Sequence, residues 1–493
     1  MFFFISFCVF VVIVSLFYFG NPLAPYLALV FIPLFVLGLF DMVQTRHAVK
    51  RNFPVIGHFR YILEAIRPEI QQYFVESNTD GAPINRNDRS LVYQRSKQEL
   101  QSQPFGTQQN VYEVGRDWVC HSIYPVKVDD HFDRVTFGGP HCKQPYSASR
   151  LNISAMSYGS LSKNAVSALN LGARLGGFAQ NTGEGGISEF HRLGGDIIWQ
   201  LGTGYFGARQ ANGMFCPETF KEKSHWPEIK MIELKLSQGA KPGKGGMLPG
   251  AKVTQEIATI RGVEIGKDVI SPAGHPMFSD AKGLMNFIGQ LRELSGGKPV
   301  GFKLCVGKHQ EFFDIIEAMK QTGIQPDFIT VDGSEGGTGA APLEFANSVG
   351  MPIKDGLAFV SQTLEKENLK KDIRIIASGK SLTGFDMIRL FALGADTVNS
   401  ARGMMLALGC IQALRCHSNH CPVGITTNNP QLVAGLHVPT KSERIANYHK
   451  ETLKAVKDLL SAMGKTGPEK VGRSDIYQRQ PDGSCQTFAQ IYT

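Results

Sequence analysis

The chain has 493 residues, and its 51 Lys and Arg against 43 Asp and Glu leave a net charge of +8. Hydrophobic residues make up 43% of it and its 53 glycines follow no Gly-X-Y period, which excludes collagen, coiled coil and wholesale disorder. Nine cysteines are too sparse for a disulfide scaffold, and without a block of five or six basic residues nucleic acid is not an expected partner.

Residues 1–40 carry no charged side chain. Two apolar runs, 2–19 and 23–40, flank the turn signal Gly20-Asn21-Pro22. As helices each is about 27 Å long, close to the hydrocarbon thickness of a bilayer. The pair reads as a transmembrane hairpin over 1–40. A cleaved signal peptide is the rival, but the basic n-region and short h-region are missing. Pro25 and Pro33 each remove a backbone hydrogen bond from the second span. Arg46, Lys50, Arg51 and Arg60 follow it, and the positive-inside rule then places that flank in the cytosol. The expectation is a two-span membrane protein, with lipid as a partner and a catalytic body in the reducing cytoplasm.

Residues 41–148 read as a linker and N-terminal extension: amphipathic helices to about 105, then irregular strand-like text such as Arg134-Val135-Thr136-Phe137. A rhythm begins at 150. Strand-like runs at 151–156, 178–181, 197–201, 231–236, 300–305, 328–331, 373–377 and 397–401 alternate with helical patterns, among them 161–175, 280–295, 310–322, 357–369, 383–393 and 404–414. Eight such units predict an α/β fold, a (β/α)8 TIM barrel over 149–428, followed by a helical tail over 429–493. A Rossmann sheet is the competitor, but no G-x-G-x-x-G opens a helix near residue 150.

Barrel active sites form at the C-terminal ends of the strands. Here those ends run into glycine-rich loops: 154–160, 181–186, 200–204, 238–246, 332–339, Ser378-Gly379 and Ala401-Arg402-Gly403. Glycine lets backbone N–H groups approach an anion closely, so the set points to a phosphate-bearing cofactor, whereas tight βα turns alone would explain any single loop. Lys241, Lys303 and Arg261 are candidate cations for the same mouth, and Glu184 is a candidate proton donor or amine-recognising carboxylate. Cys410, Cys416 and Cys421, the last followed by Pro422, can converge on an iron–sulfur cluster. Zinc completed by His417 or His420 is the rival, and a set of free thiols the bland alternative.

These segments together resemble a known family. Ser157-Tyr-Gly-Ser160, Asn181-Thr-Gly-Glu-Gly-Gly186, the loop from Gln238, the Asp332–Ala340 stretch and Cys410-x5-Cys416-x4-Cys421-Pro-Val-Gly424 look like the FMN-binding synthase domain of glutamate synthases, and the whole chain looks like its stand-alone, membrane-anchored members. The resemblance implies a barrel that holds FMN beside a 3Fe–4S cluster and reduces 2-iminoglutarate to L-glutamate. It implies cluster ligands Cys410, Cys416 and Cys421. It also implies FMN contacts at Ser157, Gln200, Lys303, Gly336, Gly337, Ser378, Gly379 and Gly403, and a keto-acid site at Glu184, Lys241 and Arg261. The chain departs from the family pattern at Met247, usually Gln, and at Lys380, usually Gly.

The chain opens with the apolar hairpin and not with a nucleophilic cysteine, so ammonia is expected from outside, to combine with 2-oxoglutarate. Electrons are expected from ferredoxin or a separate NAD(P)H-oxidising protein. Two alternatives stay open: a flavin oxidoreductase of different substrate, and a non-catalytic electron-transfer subunit.

Overall fold

A computed structural model describes residues 2–492, and the chain divides into two compact units, Met1–Gly81 and Ala82–Thr493. In the first, both apolar runs are helical: α1 is Phe2–Tyr18 and α2 is Ala24–Val43. The Phe2 ring stacks on Phe35 at 6.0 Å, so the start of α1 lies beside the later turns of α2 in an antiparallel pair. Among the described residues, α2 alone is both long and apolar enough to cross a membrane; α1 has 17 residues. Pro33 is inside α2, while Pro25 falls in its first turn where no hydrogen bond is lost. Helix α2 continues past the apolar run because Asp41 is satisfied at its end. Its carboxylate accepts from Val55 N at 2.9 Å and pairs with His58 Nε2 at 2.9 Å.

The second unit is built on a closed barrel of eight parallel strands. They are β1 Leu151–Ile153, β2 Ala179–Asn181, β3 Asp196–Leu201, β4 Ile229–Lys235, β5 Val300–Leu304, β6 Phe328–Asp332, β7 Arg374–Ser378 and β8 Thr397–Ser400. All eight expected runs are therefore strands of one barrel. The irregular extension before β1 has a definite place. An antiparallel hairpin, Arg134–Phe137 with Tyr146–Ser149, packs Phe137, Tyr146 and Ala148 against Ala179, Ile198, Met231, Phe328 and Ile376. These are the early inward positions of the strands, so the hairpin stoppers the barrel at its N-terminal end. One layer higher the interior turns polar: Glu233 accepts from Asn181 Nδ2 (2.8 Å), Gln200 Nε2 (2.6 Å) and Thr330 Oγ1 (2.6 Å).

The region after the barrel is only partly helical. Helix Val438–Ala462 packs along helix Lys163–Gly176, but Ile476–Arg479 and Cys485–Thr487 are strands that join Asp117–Val119 in a small antiparallel sheet. Head and tail of this unit are thus tied together. The helix expected over 404–414 ends at Leu408, because Gly409 takes a left-handed conformation (φ 110°) that stops it and releases Cys410 into a loop.

Candidate active site

A cavity of about 320 Å³ opens at the C-terminal ends of the strands and adjoins a smaller one of about 50 Å³, with Ala155, Gln238, Gly337, Ala401 and Arg402 lining both. The larger holds Ser157, Glu184, Gln200 and Lys241 together with all three cysteines, Cys410, Cys416 and Cys421. The smaller holds Lys303, Gly336, Ser378 and Gly379. Two expected residues line neither. Gly403 packs inward, where a Cβ would lie 2.6 Å from Ser400 Oγ, so its glycine is required by packing. Arg261 lies behind the wall: its guanidinium donates to the Tyr158 carbonyl at 2.9 Å and stands over the Phe206 ring.

Register explains the contents. Side chains alternate along a strand, so Asn181, Gln200, Glu233, Lys303 and Thr330 share the inward face. Lys235, two residues beyond Glu233, shares that face at the mouth and pairs across the sheet with Lys303. The loop after β2 comes close to the loop after β1: Gly183 has φ 64°, and a Cβ there would lie 2.6 Å from Ser157 N. Only glycine permits that approach.

Glu184 sits at the centre of the larger cavity's charged wall. Its Oε1 accepts from Lys235 Nζ at 2.8 Å. Burial raises its pKa, but Lys235, Arg261 and Lys241 together outweigh that and hold the carboxyl below its ordinary range. Burial pushes Arg261 down to about 10 and lowers Lys241, with Glu184 partly offsetting both. Lys241 is 2% exposed and Lys303 5%, and among the described residues neither ammonium has a carboxylate within ion-pair distance. Two buried ammonium groups without a carboxylate in contact make both cavities receptive to anions.

The cysteine loop is fastened from several sides. Tyr93 donates to the Cys410 carbonyl at 2.6 Å, and Gln412 Nε2 donates to the Ile84 carbonyl at 3.2 Å. Lys252, itself buried, donates to the carbonyls of Cys416 and Thr426 at 2.7 Å each and of Ser160 at 3.3 Å. Burial, with Cys416 and Cys421 nearby, pushes the Cys410 thiol up to about 11. Among the described residues, however, no three His, Cys, Asp or Glu side chains are set as a metal-binding group. Of the two histidines considered with zinc, His417 lines the cavity and His420 does not.

Neither Lys235 nor Lys252 stands in a recognisable motif. Lys235 was within reach of strand alternation from Glu233; Lys252, in a short 3-10 turn, offered no signal.

A family model described as a conserved region in glutamate synthase matches residues 125–466. The glutamate synthase large subunit-like protein YerD of Bacillus subtilis (strain 168) is 40% identical over 486 residues, covering 90% of this chain and 92% of that one. The chain belongs to the glutamate synthase family. It is an oxidoreductase of that family, and the match takes in the whole barrel and the cysteine loop. The archaeal glutamate synthase [NADPH] of Methanocaldococcus jannaschii is 37% identical over 314 residues, with 63% of this chain covered; the chain spans 58% of that relative's length. Among solved structures, a mandelate oxidase with an FMN adduct matches at 13% identity over 87% of this chain and 99% of that one, with a TM-score of 0.44, a likeness too distant to bear on function.

Proposed function

We propose that this glutamate synthase-family chain binds FMN and a 3Fe–4S cluster and reduces 2-iminoglutarate, formed from 2-oxoglutarate and externally supplied ammonia, to L-glutamate. The observation that carries the reading is the pair of buried lysines with no carboxylate in contact, Lys303 in the smaller cavity and Lys241 in the larger. The smaller cavity suits a phosphate: Lys303 and Arg402 supply charge, Ser378 a hydroxyl, and Gly336, Gly337 and Gly379 leave room for it. FMN supplies, when bound, the hydride that reduces the imine carbon. A cluster would be held by Cys410, Cys416 and Cys421, whose thiols open onto the larger cavity, and would supply single electrons.

The protein's own groups bind and orient. Lys241 attracts a substrate carboxylate. Glu184, kept ionised by Lys235, suits the positive end of an iminium, N–H to carboxylate oxygen. Lys235 Nζ, already donating to Glu184 Oε1, is a proton source for the new amine. Arg261 holds the Tyr158 carbonyl and adds its charge to the field on Glu184.

Electrons come from ferredoxin or a separate NAD(P)H-oxidising protein, and helices α1 and α2 anchor the chain in the membrane with the barrel on the cytoplasmic side. Glutamate formed from 2-oxoglutarate and ammonia with a chemical reductant tests the reaction. Turnover of another keto-acid in its place supports a flavin oxidoreductase of different substrate, a reading favoured by Met247, whose thioether stands in the wall of the larger cavity. Membrane fractionation of the full chain tests the anchor.

A further inference from the structure

Lys252 takes no part in the reaction above, yet it is only 3% exposed. Its ammonium is surrounded by three carbonyls, those of Ser160, Cys416 and Thr426. One belongs to the loop of Ser157 on the flavin side of the cavity; the other two bracket Cys421. Among the described residues no carboxylate pairs with it, so the charge has been buried against neutral acceptors alone. Fastening the two loops does not require a charge. Ser162 Oγ donates to the Gly424 carbonyl at 2.6 Å, and Asn428 Nδ2 donates to the carbonyls of Gly159 (3.2 Å) and Lys252 (2.8 Å), joining the same segments with neutral groups. The geometry puts the ammonium at the cysteine loop itself: Nζ is 2.7 Å from the carbonyl of Cys416 and 2.7 Å from that of Thr426, on either side of Cys421.

We propose that Lys252 is a positioning residue that clamps the cysteine loop to the flavin-side loop while keeping a positive charge beside the cysteines, so that the redox group they hold accepts an electron more readily. The proposal rests on the cluster reading above. Its direction follows from charge alone: a nearby cation favours the state with one more electron, so removing it lowers the reduction potential.

The test uses the full chain, prepared anaerobically, as wild type, Lys252→Met and Asn428→Ala. Lys252→Met keeps the length of the side chain and removes the charge; Asn428→Ala removes a neutral fastening between the same loops. Iron and labile sulfide, the cluster's midpoint potential, and the rate at which a maleimide alkylates Cys416 after iron removal are measured. A lower potential in Lys252→Met with a wild-type value in Asn428→Ala is expected, together with alkylation faster by about tenfold or more in Lys252→Met, as loss of charge-assisted hydrogen bonds implies. An unchanged potential in Lys252→Met, or an equal shift in Asn428→Ala, overturns the proposal. If Lys252→Met retains no iron, alkylation decides: a rate like the wild type's refutes the clamp. A wild type without iron refutes the cluster reading instead, and alkylation still judges the clamp.

Discussion

Lys235 Nζ lies 2.8 Å from Glu184 Oε1, a buried ion pair that joins the end of β4 to the loop after β2 at the centre of the larger cavity. The pair's energy is divided between desolvation and attraction, so removing one partner costs more than the pair contributes when intact. Lys235→Met leaves Glu184 buried without its nearest cation, and the carboxyl pKa rises. In the wild type Lys235, with Arg261 and Lys241, holds Glu184 below the usual carboxylate range despite burial, so kcat/KM is expected to hold into mildly acidic pH. In Lys235→Met the acid limb moves to higher pH and kcat/KM at pH 7 falls by about 100-fold, the scale of a lost acid–base partner. A pH–rate profile with an unmoved acid limb would show that Lys235 does not set the charge of Glu184.

Cys416→Ser separates redox metal from structural metal. Wild-type protein should be brown, with iron and acid-labile sulfide. The variant should lose both and still bind FMN, since Lys303, Ser378 and the glycines of the smaller cavity come from other strands. Stoichiometric zinc without sulfide in the wild type would replace iron in the reading, and the variant would then lose stability instead of a chromophore.

Lys303→Met removes the buried cation of the smaller cavity while preserving its volume. A charge-assisted hydrogen bond to phosphate is worth about 1.5–3 kcal/mol, so the Kd for FMN should rise by about 10- to 100-fold. Fluorescence titration of flavin-stripped protein measures it; wild-type affinity in the variant would place the phosphate elsewhere.

Buried histidines make the fold acid-sensitive. Burial pushes His191 and His449 down to about 3 and His275 to about 4, against 6.5 in the unfolded chain. His275 bridges Tyr205 and the Lys235 carbonyl, with a ring nitrogen 2.9 Å from each. Because the folded values lie below the unfolded one, the unfolded chain binds more protons below pH 6.5. Stability is full above that pH and declines as pH falls toward 4, by about 1.4 kcal/mol per histidine per pH unit. Urea midpoints measured at intervals from pH 7.5 to 4.5 should fall continuously below 6.5; a flat series would contradict the burial of these rings.

The barrel was legible because each strand carries its own local signal, a short apolar run that ends in glycine or a small polar residue. That Cys410, Cys416 and Cys421 come together was legible from their spacing, and all three line one cavity. Lys235 went unread because lysine at a strand end is ordinarily solvated, although alternation from Glu233 puts it on the inward face, where it meets Glu184. Arg261, a candidate cation for the mouth by its charge, stands outside the cavity lining with its guanidinium on the Tyr158 carbonyl, a placement that only the tertiary fold determines. Helical periodicity ran on to residue 414 because Ile411 and Leu414 continue the apolar pattern, but Gly409 ends the helix first. The small sheet of Asp117–Val119 with Ile476–Arg479 joins segments more than 350 residues apart, a pairing that no local pattern encodes.

The hairpin of Arg134–Phe137 and Tyr146–Ser149 precedes every barrel strand in the chain. During synthesis it leaves the ribosome first, and the eight strands then assemble around a stopper that is already present. Closure therefore never has to trap a solvated lumen and drain it afterwards. A circular permutant beginning at Leu151 would reverse that order, delivering the stopper last, and during synthesis it should reach the folded state more slowly than the natural chain even where the final structure is the same.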